Sequence, residues 1–272
     1  MFRLIHTNRV IAVAAAVLAT SGAVTHAAGT TVPCEPEASA TTASIDTTEA
    51  APGPAVIDPG DGGDYAPSID PATFVDQVDN PYLPMAPGTR WVYESGDGSE
   101  RTEVEVLDER KDIMGISATV VRDTVYIDGV IAEDTYDWFA QDAEGTVWYL
   151  GEATQDFDEC GQPNDTGGSF EYGVDGALPG IAMPANPEVG FAYRQEFYEG
   201  EAEDLGEVIE VGVTRSTGLG AYDDVVVTRD WNPLEPAVIE EKSYAPDVGM
   251  ILEEHVRGGD ETTELVEFTP GG

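Results

Sequence analysis

From Thr89 to Glu152, and again from Phe191 to Phe268, the chain alternates apolar and polar residues with a period of two, broken at intervals by turn signals. Such a pattern suits half-buried β-strands and little else. Trp91 and Tyr93 share one face. Val104 and Val106 alternate with Glu103 and Glu105. Tyr136 and Trp138 alternate with Thr135, Asp137 and Phe139, and Val147 and Tyr149 with Trp148 and Leu150. Gly96-Asp97-Gly98, Asp128-Gly129 and Asp142-Ala143-Glu144-Gly145 supply the turns of an antiparallel meander. After an irregular stretch from Ala153 to Gly190, the pattern resumes. Expected strands are Phe191–Tyr198, Glu207–Thr214, Ala221–Trp231, Ala237–Tyr244, Met250–Arg257 and Thr262–Phe268. The fold class is all-β.

The two β regions resemble each other in order and spacing. Glu103-Val104-Glu105-Val106 parallels Glu207-Val208-Ile209-Glu210-Val211. Val120-Val121-Arg122-Asp123 parallels Val226-Val227-Thr228-Arg229-Asp230. Phe139-Ala140-Gln141-Asp142 parallels Tyr244-Ala245-Pro246-Asp247. A duplicated meander is expected, with halves over 89–152 and 191–257, forming a barrel or one large curved sheet. A single β domain should span 69–272. Asp70-Pro71 is a cap and first position for a short N-terminal helix through Val78, broken at Asn80-Pro81.

Upstream, Arg3 and Arg9 precede an apolar run from Val10 to Leu18 and small residues near Ala23 and Ala27. This reads as a signal peptide over 1–27, too short to span a bilayer. The expected location is secreted, extracellular or in the cell envelope. Residues 28–68 are rich in Ala, Thr, Pro, Gly, Asp and Glu, and read as a disordered acidic linker. Asp58, Asp61 and Asp64 are taken with that linker.

The chain has 53 acidic residues against 12 basic ones, a formal charge of −41. Such a field repels nucleic acid and attracts cations. Only Lys111 and Lys242 occur as lysines, and no phosphate-binding or dinucleotide motif is present. Removing the signal peptide would leave His255 as the one histidine. A hydrolytic triad would need His255 with a nucleophile such as Ser243, yet no Gly-x-Ser-x-Gly elbow occurs. A carboxylate-dependent hydrolase could draw on Glu196, Glu199, Glu201 and Glu203, a set unremarkable in so acidic a chain.

Calcium takes oxygen ligands, and the long loop offers Asp156, Asp158, Glu159, Asn164 and Asp165 without the full EF-hand spacing. No other cofactor is expected. The two cysteines, Cys34 and Cys160, make one disulfide in an exported chain, tying linker to loop. The rings of Trp91, Tyr93, Trp138, Trp148 and Tyr149 are core residues or, alternatively, the lining of an apolar cavity.

Three phrases stand out together: Asn80-Pro81-Tyr82-Leu83-Pro84-Met85 with Pro87-Gly88-Thr89-Arg90-Trp91-Val92-Tyr93-Glu94; Asp137-Trp138-Phe139-Ala140-Gln141-Asp142 with Val147-Trp148-Tyr149-Leu150-Gly151-Glu152; and Tyr193-Arg194-Gln195-Glu196-Phe197-Tyr198. Over roughly 72–255 the chain resembles a family of secreted bacterial proteins and lipoproteins, largely actinobacterial, with no established activity. The resemblance therefore implies no site residues. More loosely, Pro-Gly-x-x-Trp-x-Tyr followed by hairpins is similar to cell-envelope proteins with curved antiparallel sheets, some of which carry lipids. Pro33 before Cys34 departs from a lipid-attachment site. The expected role is a non-enzymatic binding module for an apolar small molecule, an envelope component or a protein. The rivals are the hydrolase and a calcium-stabilised structural module.

Overall fold

A computed structural model of the chain describes residues 57–272. The expected signal peptide, most of the expected linker and Cys34 lie outside the described residues.

Fourteen strands form one sheet: β1 (Arg90–Ser95), β2 (Glu100–Ile113), β3 (Ile116–Ile127), β4 (Val130–Gln141), β5 (Val147–Phe157), β6 (Pro163–Asp165), β7 (Phe170–Glu171), β8 (Gly180–Met183), β9 (Ala192–Arg194), β10 (Leu205–Thr217), β11 (Gly220–Trp231), β12 (Ile239–Ala245), β13 (Gly249–Arg257) and β14 (Thr262–Thr269). The spatial order is β6-β5-β4-β3-β2-β1-β14-β13-β12-β11-β10-β9, with β7 and β8 also on β5. All pairings are antiparallel. Of the two expected architectures, the large open sheet is the one formed. The sheet does not close into a barrel, because the end strands β6 and β9 pair with β5 and β10 but not with each other.

Local chemistry explains the hairpins. Asp128 and Gly129, both at positive φ, join β3 to β4 in a two-residue turn that matches the strand twist. Met114-Gly115 does the same between β2 and β3. The compared phrases fall on β2 and β10, on β3 and β11, and on β4 and β12.

Alternation places two apolar layers on the sheet. Trp91, Tyr93, Phe139, Val147, Tyr149, Ile251 and Leu265 belong to the larger core. Trp138, Ala140 and Leu150, at the intervening positions, join Ile113, Ile116 and Val120 in a second cluster. Ile69, Phe74 and Trp148 pack against that second cluster. The five rings read as core or cavity lining are thus packed in these two layers.

The N-terminal helix is shorter than expected. Asp70 caps the first turn by accepting from the Ala72 N–H, but only a 3-10 turn, Pro71–Thr73, forms. Tertiary pairing then wins: the Val75 N–H donates to Gln141 O, and Gln141 Oε1 accepts from the Asp79 and Asn80 N–H groups. The last expected linker residues, 57–68, also differ. Ile57 is buried, Arg194 pairs with Asp61 at 2.6 Å, and the Tyr65 hydroxyl donates to Pro179 O at 2.8 Å. Tyr65 also packs edge-on against Phe197. This strap lies across the two ends of the sheet. The ends themselves meet where Leu178 bridges Phe197, and Gly180 lies so close to Gln195 O that a Cβ would sit 1.9 Å from it. Among the described residues, no helix is long and apolar enough to cross a membrane.

Leu265 is fully buried on β14. Leu265→Ala should cost about 2–5 kcal/mol by urea unfolding, whereas the exposed Val256→Ala should stay within about 0.5 kcal/mol of the parent. Asp61→Ala leaves the buried Arg194 without its carboxylate, and a loss of about 1–3 kcal/mol is expected in the same assay.

Candidate functional site

The candidate site is a band of buried ionisable groups on the face of the larger core. It is assembled by strand register. On β4 and β5, Asp137 and Glu152 are cross-strand partners, and the Tyr149 hydroxyl lies 2.7 Å from Asp137 Oδ1 and 2.6 Å from Glu152 Oε2. One hydroxyl proton serves one carboxylate, so two such short contacts call for a further proton on an acid. Burial provides the reason for keeping it. Desolvation pushes Asp137 up to about 7 and Glu152 well above the usual carboxylate range, with the charge of Asp137 adding to the rise in Glu152. The Thr154 hydroxyl donates to Glu152 Oε1 at 2.9 Å.

Just past β9, Glu196 is 0% exposed. Its carboxyl faces Asp204, held close by the bond from the Gln195 N–H to Asp204 O. Burial raises both acids well above the usual range, and the charges of Asp204 and Glu152 raise Glu196 further. Two buried carboxyls facing one another favour a proton on one of them.

Across β11, β12 and β13, register sets out two rows. Asp230 pairs with Glu240 and Glu240 with His255; Thr228 pairs with Lys242 and Lys242 with Glu253. The Lys242 ammonium lies 3.0 Å from Asp230, 3.4 Å from Glu240 and 3.8 Å from Glu253. Burial alone would lower its pKa, but the carboxylates prevail and raise it. Burial also works against protonated His255, and again Glu240, Glu253 and Glu261 outweigh it. The band is rich in acids with few bases, so protons or cations must balance it.

The residues expected from sequence are distributed differently. Asp156 is buried on β5 opposite Glu133 and Asp165. Asp158 accepts from the Cys160 and Gln162 N–H groups, and Asp165 from those of Thr166 and Gly167, so both carboxylates cap their own turns. Glu159 and Asn164 are exposed. Among the described residues, the group that brings ligand atoms together is Glu240, Glu253 and His255, not this loop. Cys160 is disulfide-bonded, while Cys34 lies outside the described residues. The glutamate set splits: Glu196 is buried, Glu199 and Glu201 are exposed, and Glu203 accepts from the Gly200 N–H. Ser243 pairs with Leu252, away from the His255 rung.

No protein-family model matches the chain, and no curated protein matches it. It is similar to two solved structures. One is a presumed exported protein with a YmcC-like fold from Bacteroides fragilis, 14% identical, covering 70% of this chain and 99% of that one with a TM-score of 0.42. The other is a presumed lipoprotein from Parabacteroides distasonis, 15% identical, covering 72% and 100%, with a TM-score of 0.38.

The raised carboxyls have a definite pH signature. Asp137, Glu152, Glu196 and Asp204 bind protons more tightly folded than unfolded. Stability therefore falls as pH rises through the window from about 4, where unfolded carboxyls titrate, to about 7 and beyond. The raised His255 acts in the same direction, its contribution being lost as pH rises through its folded value. Asp61, lowered first by its bond from Arg194, costs stability only when pH falls below its ordinary value. The urea midpoint should be higher at pH 5 than at pH 8, and the reverse order would contradict this account of the band.

Proposed function

We propose that this chain is an exported β-sheet module that binds an envelope component or a protein and does not catalyse a reaction. The observation that carries this reading is the enclosure of its reactive groups. The His255 side chain is 1% exposed and stands between Glu240 and Glu261. Asp137, Glu152 and Glu196 are buried as well. A general acid or base must reach substrate within hydrogen-bond distance, and these side chains face one another instead. The packing of Trp91, Tyr93, Trp138 and Tyr149 into the two cores favours a ligand held on the surface over one in an apolar cavity. The signal-like N-terminus supports export.

The same reading takes the two meanders as copies of one unit. It is supported by the matched phrases lying on strands that correspond in order, β2 to β4 and β10 to β12.

The test is native mass spectrometry of the protein secreted by a bacterial host, with a panel of ester and glycoside substrates run alongside. The expected result is a retained additional mass, released on unfolding, and no turnover. Turnover abolished by Glu152→Gln would replace the binding reading with the hydrolase.

A further inference from the structure

The two ends of the sheet meet without a ladder. β8 pairs with β5, and β9 with β10. Among the described residues the ends are joined by an isolated bridge, in which the Leu178 N–H donates to Phe197 O at 2.8 Å. Gly180 permits the close approach, since a Cβ there would lie 1.9 Å from Gln195 O and 2.5 Å from Glu196 N. The ladder partner of Gly180 on β5 is Tyr149. Glu196 is thus set at the seam, opposite the strand that carries Tyr149 and Glu152. The strap crosses the same place, with Asp61 on Arg194 and the Tyr65 hydroxyl on Pro179 O.

Glu196 has no means of carrying a charge in this position. The residue is 0% exposed, both carboxyl oxygens are sealed from solvent, and neither has a hydrogen-bond donor. The ionisable groups around it are acids or a phenol: Asp204 before β10, Glu152 and Tyr149 on β5, and Asp137 on β4. One step further out, Glu133 acts on Asp137 and Glu152, while Lys242, Glu240 and Asp230 act on Asp204. A carboxylate with neither water nor donor, set among other acids, is costly, whereas a neutral carboxyl is tolerated. The closed seam therefore holds a proton on Glu196. The strap's own ion pair does not share this dependence, because the bond from Arg194 holds Asp61 below the usual carboxylate range.

We propose that Glu196, with Asp204, Glu152 and Asp137 around it, is a proton-operated latch on the seam. Protonated, it lets the two ends of the sheet stay together. Deprotonated, it parts them and loosens the strap, while the hairpins on either side keep their ladders. The sign follows from linkage: a carboxyl neutral when closed and ionised when open shifts the balance towards opening about tenfold per pH unit above its open-state value near 4. The seam is the place to yield, since it has few backbone bonds to break.

Hydrogen–deuterium exchange of the full chain is followed by mass spectrometry at pH 5 and pH 8, with labelling times scaled to the intrinsic exchange rate at each pH. Residues 57–68, 178–183 and 192–204 should label at least about tenfold faster at pH 8, and ahead of the β2–β3 and β11–β12 hairpins, which stay protected. Glu196→Gln keeps the size of the side chain and removes its charge, so at pH 8 its seam should label at least about threefold more slowly than the parent's. Glu199→Gln, at an exposed neighbour, should label as the parent does. Should Glu196→Gln fail to fold, Asp204→Asn takes its place with the same expectation. Seam and hairpins labelling together at pH 8, a seam indifferent to pH, or a neutral variant that opens as readily as the parent would each overturn the proposal.

Discussion

The architecture depends on one pairing, that of β1 with β14. Every other ladder along the main path joins strands that follow one another in sequence. This one brings Arg90–Ser95 against Thr263–Thr269 and converts two runs of hairpins into a single sheet. The same contact stitches the core together. Trp91 Nε1 donates to Val248 O, and the Tyr93 hydroxyl donates to Met250 O, so two β1 side chains are anchored at the start of β13 and its turn. Trp91 also packs against Phe268.

With the halves joined, ionisable groups from strands far apart in sequence share one interior face. Glu196 feels the charges of Glu152 and Asp137, and Asp204 that of Lys242. The acids between β4 and β10 are balanced mainly by retained protons, and those on β11 to β13 by Lys242 and His255.

Much of the fold was legible because strand and turn signals are local. The expected Ala221–Trp231 and Met250–Arg257 strands fall within a residue of those formed. What was not legible rests on partners distant in the chain. The helix after Asp70 stops early because its backbone finds Gln141, and residues 57–68 are ordered by Arg194, Pro179 and Phe197. The buried acids were hidden by abundance, since composition cannot separate an inward Asp137 from dozens of solvated carboxylates. A signal did exist in parity. Phe139 shares its face with Asp137 and Thr135, and Ile251 shares its face with Glu253 and His255, so an apolar stripe runs straight into polar residues. Stripes that change character without changing face deserve to be read as inward.

The strap through Asp61 and Tyr65 gives the fold a mechanical direction. Tension applied through the upstream chain enters at Ile57 and passes first to the Arg194 ion pair and the Tyr65–Pro179 bond, at the meeting of the sheet's two ends. The long ladders among β1 to β5 and β10 to β14 are loaded only after those contacts yield. A module held from its N-terminal side would thus part at the seam while its core strands stay paired.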